Sequence, residues 1–479
     1  MGLGATLSTE FKESWTQLCH SISADLAGLQ VGVYASGGAP FHHLALATLW
    51  GADARPIHAE TIHGGALENL DVLIFPGGGF TAMTGMLEPL GVKGAEQVRN
   101  WVEAGGMYLG SCAGSFLPAQ VGEAYWGAHE EARALHMVNA PLANSSDSIF
   151  EGLSSPGVGT VEVSVVDQTH WLTEGLPERF EIVHYNGPLF DLQESDNASG
   201  LDAPTGVMRP VGATQSFTPS EGFLGEPPEE TLLTSCIRQN AFNGIETSFG
   251  KGHVVLFGSH PEFGFDVVQL GWREAVKLLA NALKFQARKR KSARSDSPTT
   301  LSSTVLGKMS EKLETIAQHF HTLHRADTNG WLEGAVPSFL GRDASTIWSE
   351  ASDRAAQVAL GSAELLRKLS HTDAQIEAFW LDSAPLVNQD VGFIGLEQLL
   401  FLIEDQLLLA LKQLKTTPLK LRHAYDGFET HPYQIAVSSY LSAAGLTAAA
   451  HLLCVTVAKA SHKGDMISLD FLVEESFRE

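Results

Sequence analysis

A chain of 479 residues that is 44% hydrophobic and 18% charged has the apolar content for about three domains and is not composed like a disordered protein. Its formal net charge of −24 argues against general nucleic-acid binding, because phosphates are repelled. The cysteines, Cys19, Cys112, Cys236 and Cys454, contain no CxxC pair, so they are too sparse for a disulfide framework or a cysteine zinc site and fit a reducing compartment such as the cytoplasm.

No signal peptide is read at the N-terminus. Met1 to Thr6 formally matches the myristoylation pattern, but no second membrane signal accompanies it and no lipid anchor is expected. From about Gln30 to Phe285 the chain reads as one α/β unit. Val31 to Ser36 (VGVYAS) is a short apolar run closed by Gly37-Gly38, and Phe41 to Trp50 is helix-like. Ala54 to Thr61 is expected as the second strand. Asp71 to Phe75 (DVLIF) is a buried strand closed by Pro76-Gly77-Gly78-Gly79. Gly94 to Ala104 is a helix, and Met107 to Leu109 is a strand that leads into YLGSCAGSF. Strands alternating with helices predict a doubly wound, mostly parallel sheet, with ligands outside the carboxyl ends of its strands. All three glycine-rich ends belong at that edge.

Between Gly159 and Gly258 the runs TVEVSVV, FEIVHY and HVVLFG predict an added antiparallel section, and a final helix runs from about Val267 to Gln286. Arg288 to Thr304 is basic, then rich in Ser, Thr and Pro, and reads as a linker. After Leu306 the apolar spacing becomes helical, as in EQLLFLIEDQLLLALKQL, and predicts a bundle of six or more helices. The uncharged run Tyr440 to Ala458 is long enough to span a bilayer, but it is mostly small residues and contains His451, so a buried bundle helix is expected. The domains are therefore 1–287, a linker 288–304, and an all-α domain 305–479.

Gly110-Ser111-Cys112-Ala113-Gly114, between a strand and a helix, has the form of a nucleophile elbow with Cys in place of Ser. Such a turn lifts the side chain into the cleft, in front of the N–H groups of the next helix, which favours thiolate. Alone, the pattern fits a structural bend as well as a catalytic one. The second element is KGHVVLFGSHPEF, Lys251 to Phe263, a strand ending at Ser259-His260-Pro261-Glu262. A base at that strand end faces the same crevice: His260 takes or holds the thiol proton, and Glu262 orients the imidazole. Ser36 and Gly37 either offer backbone donors at the first strand end or make a turn. His184, Tyr185 and Asn186 either line the pocket or form a turn. His42-His43 and His319-x-His321-x-x-His324 read as solvated helix faces, and no metal or cofactor is expected.

A Cys on a G-x-C-x-G elbow followed far downstream by H-P-E resembles the class I glutamine amidotransferase-like superfamily. Within it, VYASGGAP, FPGGG, YLGSCAGSF, HYNGP and GSHPEFG together resemble the amidotransferase-like N-terminal domain of biotin-protein ligases, over about residues 30–285. The resemblance implies a flavodoxin-like domain with Cys112 as nucleophile, His260 as base and Glu262 as orienting acid. It also implies an oxyanion hole from the Gly77-Gly78-Gly79 loop, through Gly78 and Gly79, and from the Ala113 N–H. Two departures matter. Ser115 and Phe116 stand where glutamine-hydrolysing members carry Gln, and no glycine-arginine-rich adenylate loop is present for biotin ligation. The expected activity is cysteine-dependent hydrolysis or transfer of a carboxamide or peptide bond through a thioester, with a helical domain available to a protein partner and no membrane partner. A non-catalytic scaffold and a glutaminase that feeds ammonia to a partner are the alternatives.

Overall fold

The computed structural model describes residues 22, 25–78, 82–144, 155–193, 200–222, 229–264, 274–289, 303–326, 344–370, 380, 395–416 and 432–461. These form two compact units, one carrying the described residues up to Lys289 and the other those from Ser303 onward.

The first unit is built on one ten-stranded sheet. In chain order its elements are β1 (Gln30–Tyr34), α1 (Phe41–Leu49), β2 (Asp53–Ile57), α2 (Ala59–His63), β3 (Val72–Phe75), α3 (Ala82–Ala104), β4 (Met107–Ser111), α4 (Ala113–Phe116), α5 (Glu123–Ala128) and α6 (Glu130–Leu135). There follow β5 (Gly157–Val165), β6 (Arg179–Tyr185), β7 (Thr205–Ala213), β8 (Thr218–Pro219), α7 (Leu232–Arg238), β9 (Gly244–Phe249), β10 (Gly252–Phe257) and α8 (Val276–Lys289). The strand order is β2-β1-β3-β4-β10-β9-β7-β5-β6, with β8 paired to β5. The first five strands are parallel, in the 2-1-3-4-5 order of a flavodoxin-like sheet. The others extend it as the expected antiparallel section.

Burial explains why these runs become strands. Every residue of β3, VLIF, is buried, as a strand covered on both faces requires. One register sets the rest of the architecture: β10 lies parallel to β4 with Phe257 opposite Ser111, so the residues after each strand emerge side by side.

Several elements differ from the sequence reading, among them β8, β9 and α7, which it does not contain. The second strand stops at Ile57, because His58 and Thr61 exchange hydrogen bonds and start α2. The helix read from Gly94 begins earlier, with a kink at Gly91 (φ 60°) just after Pro89. β7 was not read at all: it contains Pro210, tolerated where the β5–β7 register shifts.

The second unit contains four long helices among its described residues: α9 (Ser303–Ala326), α10 (Ala344–Ser370), α11 (Leu396–Thr416) and α12 (Pro432–Ser461). Buried hydroxyls tie α10 to α12. Ser352 Oγ lies 2.7 Å from Tyr440 OH, and Ser362 Oγ 2.9 Å from His451 Nδ1. One described helix is long and apolar enough to cross a membrane; its window, Ser442–Lys459, is 61% buried, as a bundle helix is.

Candidate active site

The elbow is a point of backbone strain held from several sides. Cys112 has φ 47° and ψ −114°, a conformation that costs an L-residue about 1–3 kcal/mol. Its N–H donates to Phe257 O at 2.8 Å, and the Gly114 N–H to Pro76 O at 3.2 Å. Tyr108 OH donates to Gly114 O at 2.7 Å, and Ser115 Oγ to Phe257 O at 2.8 Å. Gly114 admits this packing because a Cβ there would lie 2.1 Å from Phe75 O. Ser115 is thus buried in the elbow's support, and Phe116 is buried in the core. The helix after Cys112 is a single turn, so fewer aligned peptide dipoles stand behind the sulfur than a full helix supplies.

The β4–β10 register brings His260 and Glu262 to this elbow. His260 Nδ1 lies 2.7 Å from Glu262 Oε1; a carboxylate only accepts, so Nδ1 carries the proton and donates. Phe263 stacks on the imidazole at 4.4 Å and fixes its plane. Burial opposes a charge on His260, but the Coulombic pull of Cys112 and Glu262 and side-chain hydrogen bonds to both outweigh it, and its pKa is pushed up to about 10. Burial likewise opposes ionisation of Glu262, yet His43, His260 and its hydrogen bonds hold it down to about 2. With Nδ1 committed to Glu262, Nε2 is the nitrogen left for Cys112. Cys112 is 8% exposed, and its sulfur also lies 3.2 Å from Tyr185 O. These two partners suit two protonation states: the thiol donates to the carbonyl, and the thiolate accepts from the imidazolium.

The glycine loop after β3 closes the other side. A Cβ on Gly77 would lie 2.5 Å from His260 Cε1 and 3.5 Å from Cys112 Cβ, so Gly77 makes room for the imidazole. Gly77 O accepts from Ala39 N at 3.1 Å, and Gly78 bridges to Gly38. Gly79 lies outside the described residues. The Ala113 N–H heads its turn and has no partner within it.

The five residues weighed for substrate binding separate. Ser36 Oγ accepts from the Ala59 N–H at 3.1 Å, and Gly37 (φ 88°) packs against Gly85. His184 is buried, with Nδ1 3.1 Å from Ser259 Oγ, and burial followed by the nearby His260 lowers its pKa to about 3. Asn186 (φ 55°) accepts through Oδ1 from the Gly157 N–H at 3.1 Å. Tyr185 alone of the five is open, 47% exposed. Gly187 completes the segment where a Cβ would lie 1.8 Å from Gly258 O and 3.4 Å from Cys112 Cα.

Sequence reasoning missed His43 and Ser111. His42 and His43 are not a solvated face: both are buried on α1, and His43 Nε2 lies 3.0 Å from Ser111 Oγ and 3.6 Å from Glu262 Oε2. The available signal was the apolar character of FHHLALATL on every side, which marks a fully buried helix. His319 is half-buried, His321 is exposed, and the side chain of His324 lies outside the described residues. Among the described residues no group of three His, Cys, Asp or Glu is placed to hold a metal. Cys236 and Cys454 are buried thiols that burial pushes up to about 12, and Cys19 lies outside the described residues.

A 2-1-3-4-5 parallel sheet with a cysteine elbow after β4 and His-Pro-Glu after the adjacent β10 defines a class I glutamine amidotransferase-like domain. Within that class the chain belongs to the biotin-protein ligase N-terminal family, whose model matches residues 56–319, more than half of the chain. It is also 32% identical over 165 residues to the pyridoxal 5'-phosphate synthase subunit PdxT of Hyperthermus butylicus, an alignment covering 33% of this chain and 78% of that protein. Among solved structures it is similar to a ThuA-like protein from Bacteroides uniformis, with 14% identity, TM-score 0.33, and coverage of 56% of this chain and 95% of that one. It is similar also to the Trypanosoma brucei CTPS glutaminase domain with bound acivicin, with 12% identity, TM-score 0.31, and coverage of 55% and 95%.

Proposed function

We propose that the first unit hydrolyses or transfers an amide bond, in a carboxamide or a peptide, by covalent catalysis at Cys112. His260 Nε2 takes the thiol proton, and the thiolate attacks the carbonyl carbon. The N–H groups of Gly78, Gly79 and Ala113 receive the oxyanion. Collapse breaks the C–N bond, and the imidazolium returns its proton to the departing amine or ammonia. Water, deprotonated by His260, then attacks the thioester and frees the acid and the thiol; another nucleophile in place of water makes the reaction a transfer. Glu262 holds the imidazole and its charged form throughout. Tyr185 contacts substrate in this reading, while Ser36, Gly37, His184 and Asn186, engaged as described, support the pocket from behind.

One observation carries the reading: the 2.7 Å contact between His260 and Glu262, buried beside a strained Cys112. Its test is to incubate the protein with glutamine, simple carboxamides and peptides, quench in acid, and weigh the intact chain. An acyl adduct on Cys112, absent from Cys112→Ala, is expected with at least one substrate. No adduct and no product with any of them counts for the scaffold alternative.

A second reading has one observation in its favour: the relative from Hyperthermus butylicus is named as a synthase subunit. In that reading the unit releases ammonia from glutamine for a partner, docked through the helical unit. Ser115 weighs against glutamine, and ammonia release from glutamine alone decides between the two. We keep 1–287 and 305–479 as the working domain boundaries, with 288–304 as the linker.

A further inference from the structure

The acid of the candidate triad has two oxygens, and the hydrogen bond to His260 uses one. Glu262 is 2% exposed, so Oε2 is out of water, and no hydrogen bond satisfies it. A buried carboxylate oxygen without a donor is costly. The polar atom facing it comes from another element: His43 Nε2, on α1, 3.6 Å away. The His43 ring is itself aimed by the 3.0 Å contact of Nε2 with Ser111 Oγ, and Ser111 is the residue immediately before Cys112.

We propose that His43 is a positioning residue for Glu262: its Nε2–H, shared between Ser111 Oγ and Glu262 Oε2, holds the carboxylate so that Oε1 stays on His260. The proposal rests on the reading of Cys112, His260 and Glu262 as a working triad.

The charge balance favours this arrangement. Burial lowers the pKa of His43, opposed by Glu262 and helped by His260, so near neutral pH His43 offers an N–H dipole rather than a second positive charge. A cation there would compete with imidazolium formation on His260; a dipole steadies the carboxylate without that competition. Cys112, His260, Glu262 and His43 are titratable groups of this network, with His42 beside His43 on α1 and the buried His184 facing His260. The proposal requires the tautomer protonated at Nε2, because an unprotonated Nε2 cannot donate toward Oε2.

The test compares His43→Gln with His43→Asn in the full chain. Gln carries an amide N–H to about the Nε2 position, whereas Asn reaches only the Nδ1 position. The readout is the pH profile of iodoacetamide alkylation at Cys112, with the thermal midpoint measured alongside. In His43→Asn the rate at pH 6 to 7 is expected to fall by about tenfold and its profile to move to higher pH, as the N–H dipole that faces Glu262 Oε2 is withdrawn. His43→Gln is expected to recover most of that rate. Equal profiles in the wild type, His43→Asn and His43→Gln overturn the assignment, even if both variants melt lower. Should both variants fail to fold, nitrogen-15 histidine spectra of the wild type decide: an Nε2-protonated neutral His43 supports the role, and an Nδ1-protonated or cationic ring overturns it. A wild-type Cys112 no more reactive than a free thiol defeats the triad reading instead, so the two failures are distinct.

Discussion

Two clusters in the same sheet set a glutamate between two histidines. At the carboxyl end of β10, Glu262 has His260 at 2.7 Å and His43 at 3.6 Å. Elsewhere on the unit, Glu246 of β9 has His170 at 3.3 Å and His253 at 3.6 Å. Burial opposes both carboxylates and their histidines win, so both are held down to about 2. A carboxylate perturbed by histidines therefore does not by itself mark a reactive site. The surroundings differ. The Glu246 cluster packs on the stack of Trp171 with Phe285, beneath α8, and none of the described cysteines is part of it. Glu262 is 2% exposed against 12% for Glu246, and its cluster adjoins a cysteine at φ 47°. Strain, a thiol and a shared strand register separate a candidate site from a structural salt bridge.

The sharpest way to break the comparison is to remove the thiol. Cys112→Ala is expected to abolish amide turnover, a loss of at least about 10³-fold, with little change in melting. Glu262→Gln comes next: it leaves a hydrogen-bonding side chain beside His260 but removes the charge that holds the imidazolium. Cys112 labelling near pH 7 is expected to fall by about 10- to 100-fold, equivalent to the 1.5–3 kcal/mol of a charged hydrogen bond. Glu246→Gln is expected to leave labelling within about twofold, because surface and structural substitutions away from a site rarely reach it. Equal losses in the two variants would erase the distinction drawn between the clusters.

The smallest effect is shared. Both glutamates sit at about 2 when folded and near 4.3 when unfolded. A depressed carboxylate contributes stability that is present above its unfolded value and lost as pH falls through its folded value. Urea midpoints measured from pH 5 down to pH 2 should therefore fall less steeply in each Gln variant than in the wild type. An unchanged acid limb in either variant would mean that its glutamate is not held by its histidines.

How much of this was legible in the sequence differs by element. VGVYAS, DVLIF and the elbow were readable because continuous apolar runs closed by glycine leave few alternatives to buried parallel strands. Pairing YLGSCAGSF with GSHPEF needed only the rule that strand ends of one sheet share an edge. The β4–β10 register, with Phe257 opposite Ser111, realises it. β7 was hidden by Pro210, whose missing N–H speaks against a strand until a bulge accommodates it. His43 was hidden for another reason: a histidine's partners are set by tertiary packing, and Glu262 stands far along the chain. The segment His184 to Gly187 was recognised, but not the division of labour inside it. Only a Tyr185 carbonyl beside the sulfur and a Gly187 pressed against Gly258 reveal that its backbone, more than its side chains, shapes the site.

The central claim is that Cys112 differs in kind from the chain's other buried thiols. Limited treatment of the native protein at pH 7 with an amide-analogue electrophile, followed by peptide mass spectrometry, measures this directly. Labelling of Cys112 faster than Cys236 and Cys454 by about 100-fold or more is predicted, since burial pushes both of those thiols up to about 12. Labelling of Cys112 at the same rate as Cys454 would contradict it.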